Sequence, residues 1–405
     1  MASTYYIDSD STLSGISTVD GDTLLFKTNT TFSAGLISAT FLKKNNLTIA
    51  EYGTGERPII SGAVTHTGAE FTQDAPNGVW YINFAHTNYG NIIEDGTAMS
   101  FIAWTTNIAT TSASMSVGDY AIDQVNQRIY IKTSDNNPVG KTYITSEVYR
   151  AFVNTDTVVS WLTIKNLDVR NISDGAFTIL NTSNTIADNI SMDMCGGHWH
   201  IGGFFAGNGF SFGPNCYNGV VSNCTANRIF DGGFSAQIFT DNTSISDILF
   251  ENNTVANSGQ SAIEISLPNS TTNMKLKNVV VDGLTATDIG VNSWGRKNYG
   301  IGIIFTVTAP IESSKTMKNC TFKNITVTNA LGLIRTGYNY GINKFVDIYG
   351  SNITTLLTDY GVVPNTEEKR LYYNVRDNLG NTPSGTAGWQ LTTGLALPTR
   401  TILSR

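Results

Sequence analysis

Between residues 216 and 305 apolar and polar positions alternate in short runs, and the alternation restarts three times. The segments are GVVSNCTANRIFDGGFSAQIF (219–239), DILFENNTVANSGQSAIEIS (247–266) and LKNVVVDGLTATDI with YGIGIIF (276–305). A period of two is the mark of a strand with one buried face. Each segment carries an Asn near the middle of its first strand, a short Asn/Asp/Gly/Ser turn, and a second strand that enters on small residues. A unit of about 25 to 40 residues that cannot bury its own apolar face stacks on its neighbours. The pattern therefore predicts an all-β solenoid, a right-handed parallel β-helix with one coil per segment.

The rest of the chain falls into place around that block. Residues 1–60 alternate in the same way and form the N-terminal coils, with Gly53, Gly55 and Pro58 bending the chain before Ile59 and Ile60. Residues 61–150 break the rhythm. GVWYINF, NIIEDGTAMSFIAW and SVGDYAIDQVNQRIYIKTSDNNP predict a small antiparallel β insertion, with a hairpin joining Tyr120–Asp123 to Arg128–Lys132. Its Trp80 and Trp104 either line a sugar-binding wall or fill the insertion's own core. The main helix, 151–358, resumes with TVVSWLTIKNLDVRN and DGAFTILN. It passes through TIADNISMDMCGGHWHIGGFF (185–205) and a Gly/Phe-rich excursion at 206–215, and runs to FVDIYGSNITTLL (345–357). Within it, KNVVVDGLTATDI (277–289) and KNCTFKNITVTNA (318–330) align without a gap. Residues 359–405 lose the repeat and are the expected cap and oligomerisation segment, because a solenoid's last coil exposes apolar surface.

The opening coil, DGDTLLFKTNTTF followed by YGTGERPIISG, resembles that of right-handed β-helix proteins that process polysaccharides. These are the pectate-lyase-like proteins, which include the tailspike depolymerases of bacteriophages and polysaccharide lyases. The resemblance runs from about residue 5 to 355. It implies a bacterial surface polysaccharide, capsular or exopolysaccharide, as partner and substrate, a parallel homotrimer, and a place in a virion tail. The N-terminus shows no signal peptide, and the chain starts almost directly on a coil strand.

Composition narrows the partners. Only 14% of the 405 residues are charged and the formal net charge is −7, which argues against nucleic acid, since phosphates require a basic surface. No apolar run is long enough to span a bilayer, so no membrane partner is expected. The four cysteines lack metal-ligand spacing, and Cys224 and Cys320 occupy matching strand positions several coils apart, as free buried thiols would. Asn-X-Thr triplets at Asn252 and Asn324 read as turns rather than glycosylation sites. No cofactor is expected.

Chemistry has to sit where stacked strands point side chains outward together. Taking Phe177/Ile179, Trp199/Ile201, Ala236/Ile238, Ile263/Ile265 and Ile301/Ile303 as inward pairs leaves Thr178, His200, Gln237, Glu264 and Gly302 as one outward column, about 4.8 Å apart. Glu264, between two isoleucines and beside a Gly with room for a ligand, is the expected general acid. Asp231, in the turn before its strand with Arg228 to hold it ionised, is the expected base. His200 is a third catalytic candidate, and His198 and Gln237 are substrate contacts. His198 and His200 lack a third ligand, so no metal is assigned to them. The long turn 290–300 adds Trp294, Arg296, Lys297 and Tyr299, aromatic and cationic groups suited to sugar faces and uronate carboxylates.

Two carboxyl groups are what glycosidic hydrolysis uses. Elimination instead needs a base for the proton beside a uronate carboxylate and a cation to neutralise that carboxylate. His200 with Arg296 or Lys297 fits that alternative. An endo-acting hydrolase is thus expected, with a polysaccharide lyase or a non-catalytic polysaccharide-binding adhesin as the alternatives.

Overall fold

The computed structural model describes residues 1–37, 41–84, 88–105, 107–123, 125–133, 135–148, 150–154, 157–199, 205–267, 273–291, 300–307, 316–336, 342–359, 369–382 and 389–391. Its main body is a 26-stranded, all-parallel sheet wound into a right-handed β-helix. Each central coil has three strands, and each strand pairs with its counterpart in the next coil. The first face stacks Val159–Lys165, Thr182–Asp188, Cys216–Ser222, Ser244–Glu251 and Lys275–Asp282. The short second face stacks Asp168–Arg170, Ser191–Asp193, Thr225–Asn227, Thr254–Ala256 and Thr285–Ile289. The third stacks Phe177–Ile179, Phe210–Phe212, Gly232–Gln237, Ser261–Leu267 and Ile301–Val307. Thr321–Thr336 then wraps all three faces as one bent strand. This matches the solenoid expected from the alternation, and the KNVVVDGLTATDI and KNCTFKNITVTNA segments do stack in parallel.

The inward residues merge into one continuous core. Phe152, Phe177 and Phe210 stack face to face along it, with centroids 4.7 and 5.2 Å apart. Phe322, Phe345 and Tyr372 form a second such stack at 5.0 and 4.8 Å. Because Tyr372 belongs to Lys369–Asp377, which pairs in parallel with Ile342–Asp359 and then with Trp389–Leu391, the coils do not stop near residue 357. The segment expected to be a cap adds further parallel strands. Cys195, Cys216, Cys224 and Cys320 are all free and buried, and burial pushes the last three thiols up to about 12.

Corners between faces demand a left-handed residue. Among the described residues, every non-glycine with positive φ is Asn or Asp except Gln127, Trp161, Met194 and Arg228. The amide of an Asn hydrogen-bonds the carbonyl or carboxylate of the rung before it, as in Asn189 to Asn166 (2.6 Å), Asn215 to Asn181 (3.0 Å), Asn257 to Asn227 (2.9 Å) and Asn324 to Asp282 (2.7 Å). Two asparagines turn inward instead. Asn253 donates to the Val221 carbonyl (3.0 Å) and accepts from the Cys224 N–H (2.9 Å), and Asn343 repeats the arrangement on Met317 and Cys320.

The insertion leaves after Ile59–Ser61, and the coil it interrupts resumes without loss of register, since Asp168–Arg170 pairs with Ile59–Ser61. It holds a four-stranded sheet and a five-stranded sheet with their own apolar clusters. The hairpin of Asp119–Asp123 and Arg128–Lys132 forms as expected. The insertion is not wholly antiparallel, because Ser100–Thr105 runs parallel to Asp119–Asp123. Trp80 packs against the insertion's own core and donates its indole N–H to the Asn136 carbonyl at 3.1 Å, which favours the core-filling alternative for that residue. The Trp104 side chain lies outside what is described.

Removing a buried amide that satisfies two backbone groups leaves both desolvated and unpaired. Asn253→Ala is expected to lower unfolding free energy by about 2–4 kcal/mol, measurable by urea denaturation, while Asn46→Ala at an exposed corner should cost less than half as much.

Candidate active site

The third face gathers an unusual set of polar side chains. The register places Thr178, Ser211, Ser235, Glu264, Ile304 and Arg335 in one outward column. The column therefore differs from the one expected. Phe234/Ala236 and Ile303/Phe305 are the inward pairs, two residues away from the pairs inferred by alternation. A slip of two keeps the facing and changes the neighbours. In the strand register Gln237 pairs with Ser266 rather than with Glu264. Gly302 is level with Ala262, and the space over it is taken by Val327 and the Leu333 carbonyl rather than left for a ligand.

The coil before Asp231 needs a larger correction. Its third strand is Phe210–Phe212, within the stretch expected to be an excursion. The excursion lies earlier: Gly197–Trp199 pairs with Phe205–Ala206 and with Asn88–Gly90 of the insertion. It leaves and rejoins the coil at Gly196 and Gly207, where a Cβ on Gly207 would lie 2.1 Å from the Gly196 Cα. His198 is consequently on a small antiparallel sheet rather than on the third face, and its side chain, like His200, lies outside what is described. Trp294, Arg296, Lys297 and Tyr299 also fall outside the described residues.

Glu264 is 9% exposed although it points away from the core. Gln260 donates to its Oε2 at 2.7 Å, and Ser266 and Gln237 also hydrogen-bond it. Burial raises its pKa above the ordinary value near 4.5, and those hydrogen bonds together with the charge of Arg335 oppose the rise. A network runs on from there. Gln237 Nε2 donates to Ser266 Oγ (3.2 Å), Asn208 Nδ2 donates to Gln237 Oε1 (3.0 Å), and Asn208 Oδ1 accepts the Gly232 N–H (3.0 Å). All of these side chains are buried.

Asp231 stands one rung before Gln260, three residues ahead of inward Phe234. Its carbonyl accepts from Gln260 N (2.9 Å), Ser261 N (3.2 Å) and Ser258 Oγ (2.7 Å), so the backbone that aims its carboxyl is held on three sides. The residue that follows Asp231 in its column thus reaches Glu264 with its side chain. Arg228 forks its guanidinium onto Asp193 of the preceding coil, Nε to Oδ1 at 2.9 Å.

Two features escaped the sequence reading. Asp174 occupies the position of Asp231 two coils earlier and pairs with Arg150 at 2.6 Å. The repeated Asp-Gly-X-Phe of 174–177 and 231–234 was the available signal. Arg335 joins the Glu264 column from the long strand Thr321–Thr336, where nothing local marks it. Among the described residues no three His, Cys, Asp or Glu side chains form a metal-sized cluster, and no helix is long and apolar enough to cross a membrane.

No family model matches this sequence, and no curated protein matches it. Solved structures do resemble it. A rhamnogalacturonan lyase superposes with a TM-score of 0.51 at 11% identity, over 96% of this chain and 87% of that one. A polygalacturonase from Erwinia carotovora gives 0.46 at 11% identity over 93% and 96%. The tailspike protein of E. coli bacteriophage HK620, in complex with a pentasaccharide, gives 0.44 at 11% identity over 92% and 57%. At such identities the likeness is one of fold. The chain shares with them the right-handed parallel β-helix fold that its opening coil led one to expect.

A carboxyl whose folded pKa is raised binds its proton more tightly in the folded than in the unfolded chain. Stability is then greatest below the unfolded value and falls as pH climbs toward the folded one. Unfolding midpoints measured upward from about pH 4.5 are expected to decline, and Glu264→Gln is expected to flatten that decline.

Proposed function

We propose that the protein is an endo-acting enzyme that cleaves a polysaccharide by glycosidic hydrolysis. The observation that carries this reading is Glu264, a buried, outward-pointing carboxyl kept protonated to higher pH by desolvation and oriented by Gln260. A general acid must hold a proton near neutral pH while its partner stays ionised to activate water. Asp231, in the adjacent coil and more exposed to solvent than Glu264, takes the part of the base. Asn208, Gln237 and Ser266 fix the acid's surroundings so that it need not reorganise as charge develops.

The likeness to polysaccharide-acting β-helix proteins supports the substrate class, and the opening coil supports a tailspike-type depolymerase acting on a bacterial capsular or exopolysaccharide. On the same reading the protein works as a homotrimer in a virion tail. A second mechanism draws on Arg335. A cation in the Glu264 column suits a uronate carboxylate, and with Glu264 as base the site would perform elimination.

Losing general acid–base assistance costs roughly 10² to 10⁴ in rate. Glu264→Gln and Asp231→Asn are each expected to lower turnover of a cleaved polysaccharide by about that factor, with the wild-type rate falling as pH rises through the raised pKa of Glu264. Full activity in both variants would reject the assignment. Mass spectrometry of the fragments distinguishes hydrolysis from elimination, which leaves an ultraviolet-absorbing unsaturated uronate. Tight binding without shortening would favour an adhesin. Sedimentation is expected to give about three times the 43.8 kDa chain mass, and a monomer at micromolar concentration would count against the tailspike assembly.

A further inference from the structure

The two-stranded ribbon on which the insertion leaves and rejoins the coil carries an imidazole held between two carboxylates. Ala63–Thr67 and Thr142–Ser146 pair antiparallel there, and His66 stands on the first of them. Its Nδ1 lies 3.0 Å from Glu70 Oε2, and its Nε2 lies 3.0 Å from Glu147 Oε1 and 3.1 Å from Thr145 Oγ1. Both carboxylates are aimed by neighbouring bonds: Glu70 Oε1 accepts from the Thr67 N–H (2.8 Å), and Glu147 Oε1 accepts from Thr145 Oγ1 (2.8 Å). An imidazole donates from both nitrogens only as the cation. Once neutral, it keeps Glu70 through Nδ1–H and accepts from Thr145, but the Glu147 carboxylate then faces a lone pair. The proton therefore decides the contact to Glu147. Tyr143, opposite His66 in register, is also titratable, yet desolvation pushes its hydroxyl up and keeps it neutral, while Glu94 on the next strand is bonded to Lys141 at 2.7 Å. Among the described residues Glu147 and then Glu70 are the charges that act on His66, and their hydrogen bonds raise its pKa above the ordinary 6.5 against the opposing effect of burial.

Glu147 is also where the ribbon meets the coil. Its N–H donates to the Gly62 carbonyl (3.1 Å), the Gly62 N–H donates to the Arg170 carbonyl (3.0 Å), and Val148 bridges to Ile172. One rung on, the Gly196 N–H donates to the Ile172 carbonyl (2.9 Å), and Gly196 is the neck of the excursion that leaves the coil between those of Asp174 and Asp231. The insertion grips the same point from its other side. Thr145 lies opposite Ile92, and Asn91 beside Ile92 donates a buried bond to the Gly196 carbonyl (3.2 Å), while Asn88–Gly90 pairs with Gly197–Trp199. We propose that His66 is a proton-operated latch. Protonated, it fastens Glu147 and so seats the insertion on the coil beside the third face; deprotonated, it loosens the ribbon and with it the hold of residues 88–91 on the excursion. The inference does not rest on the enzymatic reading above.

A histidine whose folded pKa is raised contributes stability that is complete below its unfolded value and is lost as pH climbs through the folded one. Hydrogen exchange read by mass spectrometry on the full chain, corrected for the intrinsic pH dependence of exchange, measures the local opening directly. As pH rises from about 6.5 through the raised value, opening of residues 63–67 and 142–148 is expected to increase about three- to tenfold, the effect of one partly shielded charge-assisted hydrogen bond. Residues 88–91 are expected to follow, and the coil strand Lys275–Asp282 to stay unchanged. His66→Ala and Glu147→Gln are each expected to abolish the step, and the second keeps the test decisive if the first misfolds. A wild-type ribbon whose protection shows no step with pH overturns the latch, even if both variants exchange faster, because His66 is then a structural contact only. A step that survives in Glu147→Gln assigns the titration to another group and overturns it too. A step confined to the ribbon, with residues 88–91 unmoved, overturns the seating of the insertion.

Discussion

The left-handed corner is the constraint on which the β-helix depends. A coil of three strands closes only if the chain turns sharply between faces, and for most side chains the left-handed conformation that does this costs about 1–2 kcal/mol per residue. Asn lowers that cost because its short amide can bond locally. Stacked coils then place each amide one rung from the next, so that a corner chosen for backbone reasons also becomes a hydrogen-bonded ladder between coils, as with Asn257 on Asn227. Such amide ladders are a general property of in-register parallel strands. The inward residues follow from the corners, because the number of residues after a corner decides which side chain faces the core.

That dependence explains what the sequence reveals and what it conceals. Period-two alternation and Asn-bearing turns disclose the architecture, since both repeat in every coil. Register is harder, because alternation repeats every two residues and admits a slip of two. The corners would have resolved it: Asn171 to Phe177, Arg228 to Phe234 and Asn257 to Ile263 all span the same distance to the inward residue. At two of the coils where the pairs shift the corner is Met194 or Arg228, neither of which looks like a turn residue; at the third, that of Ile303 and Phe305, the corner is Asp288 but nine residues between Gly290 and Gly300 obscure the count. The strand Phe210–Phe212 was hidden for a related reason. Its many flanking glycines resemble a loop, whereas two of them, Gly196 and Gly207, close the neck through which ten residues leave the coil.

The site shows which parts of its chemistry are local. Glu264 was legible because a carboxylate between isoleucines in an alternating strand has to point away from the core, whatever the register. Its surroundings were only partly so, because Gln260 and Ser266 are local while Gln237 and Arg335 come from other coils and reach it only through stacking. The exposed or buried state of an outward side chain is in part a property of the assembled face, which a short window of sequence does not contain.

The placement of the two carboxyl groups also follows from the coil pattern. Ten residues enter the corner between second and third face before Phe210–Phe212, and nine enter the equivalent corner before Ile301–Val307, between Gly290 and Gly300. The two coils between them turn that corner without insertion, and they are the ones that carry Asp231 and Glu264. A β-helix accepts additions at a corner without loss of strand pairing, because the neck can close on itself while the ladder continues past it. The uninterrupted corners hold Asp231 and Gln260 in direct stacking, with the Gln260 N–H on the Asp231 carbonyl and its side chain on Glu264. An insertion at either of these corners would separate Gln260 from one of its two partners. The link that runs from the Asp231 carbonyl through Gln260 to Glu264 is therefore available only where two plain corners adjoin.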